Sequence, residues 1–361
     1  MKRHLAVLDG LRGTASLLVV IFHLQEAYFE KYALNPLRHA HLAVDFFFML
    51  SGYVVGYAYD DRLASFSVRD FLRVRFIRLH PLVLLSALLG VLCYWYAPYA
   101  GQLRGVGLGR IVGYALSGAL LLPFAAQLRP QGLLFPLNAP CWSLLQEYLA
   151  NMAYILLAPR LGRRALQAVV AVSAVAVVAA ALKHGSLQGG YSWDSFWMGP
   201  VRVAFPFGMG LLLFRQRVSV RVPGAFWVLS GVLLAVFAGP AVEPAAIYEA
   251  FCVLVVFPLV LAAGAGAGPV AGLTQAVCQL GGRLSYPLYL VHYPFVVLFT
   301  YWVQVNQPSL RQAVPLMGGL VVFFLVLAWA ALRFYDEPLR ARLSARFRRP
   351  APRVRQLVEA D

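Results

Sequence analysis

Ten apolar segments of 16 to 21 residues run through this chain of 361, at 7–24, 42–59, 79–99, 141–159, 165–182, 199–214, 223–240, 244–263, 284–302 and 314–334. An α-helix needs about 20 residues, at about 1.5 Å each, to cross the roughly 30 Å hydrocarbon core of a bilayer. No water satisfies backbone polar groups there, so each segment must close its hydrogen bonds internally as a helix. The composition agrees: 61% hydrophobic and 13% charged, about half the charge of an ordinary soluble domain. The sequence therefore predicts an all-α fold, a polytopic transmembrane helix bundle of about ten spans over 1–340, followed by a basic tail at 341–361. Lys2 and Arg3 precede the first span, but Asp9 and Arg12 interrupt it and no small-residue cleavage site follows, so it reads as a retained span and not as a signal peptide.

The net charge of +16 raises nucleic acid as a partner, but its placement points to a membrane instead. With both termini cytoplasmic, the inner segments carry Lys2, Arg3, five Arg between 60 and 78, Arg160, Arg163, Arg164, Arg215, Arg217, Arg221, Arg283 and eight Arg from 333 onward. These are 22 of the 31 Lys and Arg residues, the asymmetry of the positive-inside rule. The outer segments hold Lys31, Arg38, Arg104, Arg110, Arg129, Lys183 and Arg311, while Arg12 and Arg202 fall within spans. The expected location is the inner (cytoplasmic) membrane, with lipid as a partner and no nucleic acid. Residues 106–123 are apolar enough to span, yet a crossing there would put Arg160, Arg163 and Arg164 outside. They are expected to be re-entrant or to lie against the outer face, ahead of an irregular loop holding Pro130, Pro136 and Pro140. Cys93, Cys141, Cys252 and Cys278 lack metal-ligand spacing, and no metal is expected.

Ionisable groups in hydrocarbon are expensive and are usually kept for a task. Arg12 and His23 share the first span eleven residues apart, which places them on one helix face, roughly 16 Å apart. Asp45 opens the second span, and an outer loop joining the two spans would bring it to His23. A carboxylate beside an imidazole fixes its tautomer, as a general base requires; the alternative is an interfacial His23 and an Asp45 that caps its helix. The loop from Arg69 to Pro81 interleaves cations with apolar residues. It is either an interfacial amphipathic helix gripping anionic lipid or a phosphate-binding collar. Glu147 lies about two turns into the fourth span and should face the bundle interior; Ser143 is a helix cap or a reactive group. His292 sits between Pro287 and Pro294 in the ninth span, where the prolines should kink the helix.

At these residues the chain resembles the membrane-bound acyltransferase-3 family, which O-acylates sugars and related substrates. Leu8-Asp9-Gly10-Leu11-Arg12-Gly13-Thr14-Ala15 with His23 is similar to the family's opening motif, and Asp45-Phe46-Phe47-Phe48-Met49-Leu50-Ser51-Gly52-Tyr53 to its second. Arg73 and Arg75, then Trp142-Ser143-Leu144 with Glu147, then Tyr286 to Pro294, then Glu337-Pro338 follow in the family's order. The chain departs from the pattern at Tyr148, where a second acid is common, and at Ala150, where an aromatic residue is common.

The resemblance implies an acyl donor, acyl-coenzyme A and by default acetyl-coenzyme A, and an acceptor hydroxyl on an extracytoplasmic glycan or lipid-linked sugar, within reach of polysaccharide biosynthesis machinery. Arg73 and Arg75 would hold the coenzyme phosphates, with Arg78 a lesser candidate, and Arg12 would line the pantetheine passage. His23 with Asp45 would deprotonate the acceptor hydroxyl or an intermediate nucleophile, with direct transfer and a covalent intermediate both open, and Glu147 and His292 would orient acceptor or base. The rival class is a transporter or flippase with the same charges along its path, but the inverted repeats common to such proteins are not evident.

Overall fold

The computed structural model describes residues 5–29, 34–96, 107–124, 132–241 and 244–346; Lys2, Arg3, Lys31, Arg104, Arg129 and the tail from 347 lie outside them. All ten predicted segments are helical: α1 (Ala6–Tyr28), α2 (Ala43–Tyr59), α3 (Val68–Tyr96), α4 (Leu108–Leu120), α5 (Cys141–Leu157), α6 (Arg163–His184), α7 (Met198–Arg215), α8 (Ala225–Phe237), α9 (Ala245–Phe251), α10 (Phe257–Gly266), α11 (Gly272–Val291), α12 (Tyr293–Asn306), α13 (Leu310–Ala330) and α14 (Glu337–Arg346). Of these, α4 and α14 fall outside the ten, while single π-helical stretches join α9 to α10 and α13 to α14. Among the described residues the only strand-like pairing is an isolated bridge between Leu133 and Ser192. Six helical stretches are long and apolar enough to cross a membrane, or seven when α11 and α12 count as one bent span.

Three boundaries differ from the sequence reading. The basic run 69–80 is not a loop but the first turns of α3, continuous through Pro81. Residues 106–123 give α4, whose 13 residues reach about 20 Å, short of the hydrocarbon core; it packs on α3. The tail boundary at 340 falls inside α14, which runs on to Arg346. The bend that the two prolines foretell is present: α11 and α12 meet at 54° with His292 at the break.

Helices in lipid associate through close backbone approach more than through burial of oil in water, and small residues permit it. The pairs with the most extensive packing, α1 with α11 and α2 with α7, both show this. A Cβ built on Gly13 would lie 2.5 Å from the Cα of Gly281, and one on Gly52 would overlap the carbonyl oxygen of Phe207. The first contact sets α1 directly on α11, and the second sets α2 on α7. These two pairs form the frame on which the site is built.

Candidate active site

A cavity of about 1180 Å³ opens among α1, α2, α3, α5, α11 and the segment 264–270. Five arginines line it, together with the carboxylates of Asp9, Glu147, Asp336 and Glu337. Arg12 projects from the α1 face packed on α11, donating from Nε to Ser285 Oγ (2.8 Å) and from Nη2 to the Gly282 carbonyl (2.6 Å), with Asp9 3.3 Å away. Arg75 is buried, and its Nη2 donates to Glu147 Oε1 at 2.8 Å; Ser51 donates to the same oxygen at 3.0 Å. Arg78 lines the cavity one turn further along α3, and no ion pair or hydrogen bond engages its guanidinium among the described residues. At the rim Arg283 pairs with Glu337 at 2.8 Å and Arg340 with Asp336 at 2.9 Å, so the acidic pair at the end of the last span does meet arginines.

Helical geometry corrects the arginine assignment. Residues 73 and 75 are two apart, about 200° around a helix, whereas 75 and 78 are three apart and share a face. Arg73 accordingly lies 3.5 Å from Asp70 and does not line the cavity, while Arg75 and Arg78 do. Glu147 faces the interior as expected, but its side chain holds Arg75 and it does not orient a histidine.

The histidines meet elsewhere. At the far end of α1, the ring of His23 stacks on that of His292, centroids 5.5 Å apart and planes at 27°. His292 is fully buried, and its Nδ1 donates to the Leu288 carbonyl at 3.0 Å. A nitrogen facing a carbonyl must carry the proton, so Nε2 holds the lone pair; it has no partner among the described residues. His23 Nδ1 lies 3.2 Å from Glu26 Oε2, and Glu26 Oε1 accepts from Gln188 Nε2 at 3.2 Å. The carboxylate that fixes the His23 tautomer is therefore Glu26, one turn along the same helix, and not Asp45.

Asp45 is engaged by Arg202 of α7, Nη2 to Oδ2 at 2.5 Å and Nε to Oδ1 at 3.2 Å, both side chains buried. Arg202 also donates to the carbonyls of Gly189 and His41 and lies 5.0 Å above the Trp142 ring. In the sequence Arg202 stands inside a span with no partner in view; only the approach of α7 to α2 supplies one. A second buried cluster also escapes a reading of the sequence. Glu249 Oε1 lies 3.0 Å from His39 Nδ1 and 3.3 Å from His41 Nε2, and its Oε2 accepts from Ser186 Oγ and the Leu187 amide. A lone acid in the apolar run 244–263 was its available signal.

The chain matches the family model described as an acyltransferase domain over residues 5–333 and belongs to the acyltransferase-3 family. It is therefore a membrane acyltransferase. It is 30% identical over 311 residues to acyltransferase MdmB of Streptomyces mycarofaciens, covering 79% of this chain and 77% of that protein. It is also 35% identical over 185 residues to protein 2 in the picA locus of Rhizobium radiobacter, covering 48% of this chain and 93% of that protein. No solved structure matches it significantly.

Proposed function

We propose that the protein takes an acyl group, by default acetyl, from acyl-coenzyme A at a cytoplasmic mouth and delivers it to a hydroxyl of an extracytoplasmic glycan or lipid-linked sugar. The observation that carries this reading is that α1 and α11 together link the cavity to the histidine pair: Arg12 and Ser285 line the cavity, and His23 and His292, further along the same two helices, stack on each other. Arg78, tied to no carboxylate among the described residues, and Arg12, held by Ser285, the Gly282 carbonyl and Asp9, are the phosphate and pantetheine contacts. Guanidinium forks suit phosphate oxygens. Arg75, already tied to Glu147, fixes the wall. His23 Nε2, freed by the Glu26 contact at Nδ1, takes the acceptor proton; Glu26 and Gln188 border the approach. The distribution of arginines favours a cavity mouth on the cytoplasmic side of a ten-crossing protein in the inner membrane, and surface-polysaccharide machinery is the source of the acceptor.

Deletion of the gene, followed by mass spectrometry of the cell-surface glycans, tests the whole reading. Loss of one acyl mass per modified sugar, about 42 Da for acetyl, is expected, restored by the wild-type gene and not by a His23→Ala variant. Glycans that keep their acyl groups but fail to reach the surface would replace the enzyme by a transporter.

A further inference from the structure

Two hydroxyl groups in contact with each other also line the cavity. Ser143, in the first turn of α5, and Tyr289, in the last turn of α11, both line it, and their oxygens lie 2.9 Å apart. Both residues are buried. Ser143 Oγ is 3.0 Å from the Pro140 carbonyl oxygen, and the Tyr289 hydroxyl is 3.3 Å from the same atom. The pair carries two protons. When Ser143 Oγ donates to the phenol oxygen, the Tyr289 proton is free to turn from Pro140 toward a molecule in the cavity, and the Pro140 carbonyl keeps the Ser143 amide.

The position of the pair gives that second proton a use. Tyr289 is one turn beyond Ser285, which Arg12 grips, and the ring of Phe47 closes on it edge-on at 5.9 Å. Its own ring lies 6.1 Å from His292, which stacks on His23. Tyr289 therefore both lines the arginine-bearing cavity and adjoins His292 of the histidine pair. A thioester that entered past Arg12 would bring its carbonyl to the two hydroxyls just before an acceptor hydroxyl at His23 could reach it.

We propose that Tyr289 and Ser143 form the oxyanion site of the acyl transfer, the phenol donating directly to the thioester oxygen and Ser143 holding the phenol in place; this rests on acyl-coenzyme A being the donor. The acceptor oxygen attacks the carbonyl carbon while its proton passes to His23 Nε2. The π electrons of the C=O bond move to oxygen, where the Tyr289 O–H meets the negative charge. On collapse the C–S bond breaks, the thiolate takes the proton from His23, and an ester and free coenzyme A leave. Tyr289 and Ser143 lose nothing. A neutral phenol, with a reference pKa of about 10, is the stronger of the two donors. Donors placed where charge develops in a site that excludes water act mainly on the transition state.

The test uses the full chain purified in detergent, with acetyl-coenzyme A as donor, a panel of methyl hexosides as acceptors, and thiol release as the readout. Tyr289→Phe removes one proton donor and no bulk. It should lower kcat by about 10²-fold and leave KM for acetyl-coenzyme A within about twofold, because the ground state is bound by the arginines. Ser143→Ala should cost less, about tenfold, and Ser143→Thr should recover most of that loss. The double variant should be no slower than Tyr289→Phe, since the two act as a unit. Should Tyr289→Phe fail to fold, the comparison of Ser143→Ala with Ser143→Thr decides the question by itself. Turnover by Tyr289→Phe within about twofold of wild type, or a loss confined to KM, would overturn the oxyanion assignment and leave the pair as a tie between α5 and α11. Wild-type protein that neither binds coenzyme A nor releases thiol would overturn the donor reading instead, and this proposal with it.

Discussion

At the scale of single residues, the site turns on which charges are already spoken for. Arg78 faces the cavity with no carboxylate partner among the described residues, whereas Arg73 stands beside Asp70 on another face of α3. Arg78→Ala should therefore weaken coenzyme A binding by about ten- to hundredfold, the value of one charge-assisted contact at roughly 1.5–3 kcal/mol. Arg73→Ala should change it little, and titration calorimetry in detergent would separate the two; equal losses would restore Arg73 to the donor site. His23→Ala should slow acyl transfer by about 10²- to 10⁴-fold. Glu26→Gln should also slow it, and the double variant should lose little more than His23→Ala, since residues acting through one group fail together. Full activity in Glu26→Gln would return the orienting role to another group. Asp45 and Arg202 behave differently, because they bond each other in the interior. Removing either leaves a buried charge alone and should cost about 3–5 kcal/mol of stability, while replacing both by apolar residues should cost less than either single change. Thermal unfolding of the three variants would show this ordering. Arg12, His23, Glu147 and His292 were legible as residues because charge in an apolar run is conspicuous. Most of their partners were not, because Arg202 beside Asp45 and the Arg75–Glu147 pair are defined by which helices touch, whereas Glu26, three residues beyond His23 on the same helix, was within reach of spacing alone. The step from Arg73 to Arg78 was lost for a simpler reason: residues 69–80 read as a loop, and in a loop the face of a residue has no meaning.

At the scale of helices, the sequence was informative wherever one element carried the whole signal. Each apolar run became a helix, and the break at His292 follows from Pro287 and Pro294. Proline lacks the N–H that would bond the preceding turn, so two of them seven residues apart turn one long span into two shorter helices. That break is functional as well as mechanical, for it lays His292 against His23. Which helix packs on which was not legible, since glycines occur throughout the chain and only some sit at crossings. Gly13 meets the backbone of Gly281, while Gly318, on α13, has open space around it. Gly13→Leu should therefore force α1 from α11 and pull Arg12 off Ser285. An overpacked contact of this kind costs about 1–3 kcal/mol, and acyl transfer should fall with it. Gly318→Leu should change stability by no more than about 0.5 kcal/mol. Melting curves for the two variants make the comparison, and equal tolerance at both positions would mean that α1 and α11 do not pack closely.

At the scale of the whole molecule, the question is how many times the chain crosses the bilayer, and internal contacts bear on it more than length does. α4 and α8 each have 13 residues, too few for a comfortable crossing. Their surroundings differ. Just before α8, the Val220 amide bonds to Ala262 near the end of α10, and at its other end the Phe237 carbonyl accepts from the His39 amide. α1 passes between the same two ends, with Leu8 against Gly264 and His23 on the side of His292. α8 thus runs the length of the bundle, whereas α4 lies along α3 with its apolar face, including Leu108, Val112, Leu116 and Leu120, turned outward. An outward apolar face suits a helix that rests against lipid beside the bundle, and the ten-crossing expectation would then keep Arg160, Arg163 and Arg164 on the same side as Arg215 and Arg217. Indeed Arg215 donates to the carbonyls of Ala158 and Leu161 and pairs with Asp60 at 2.8 Å, so these three segments share one end of the molecule. Reporter enzymes fused after Arg164 and after Arg217 should both be active only in the cytoplasm, and a reporter within 184–197 only outside. A fusion after Arg164 that reports from the outer side, with one after Arg217 still inside, would break the ten-crossing arrangement and require the chain to cross at α4. It would also move the bonds from Arg215 to Leu161 across the bilayer, which no rigid bundle permits.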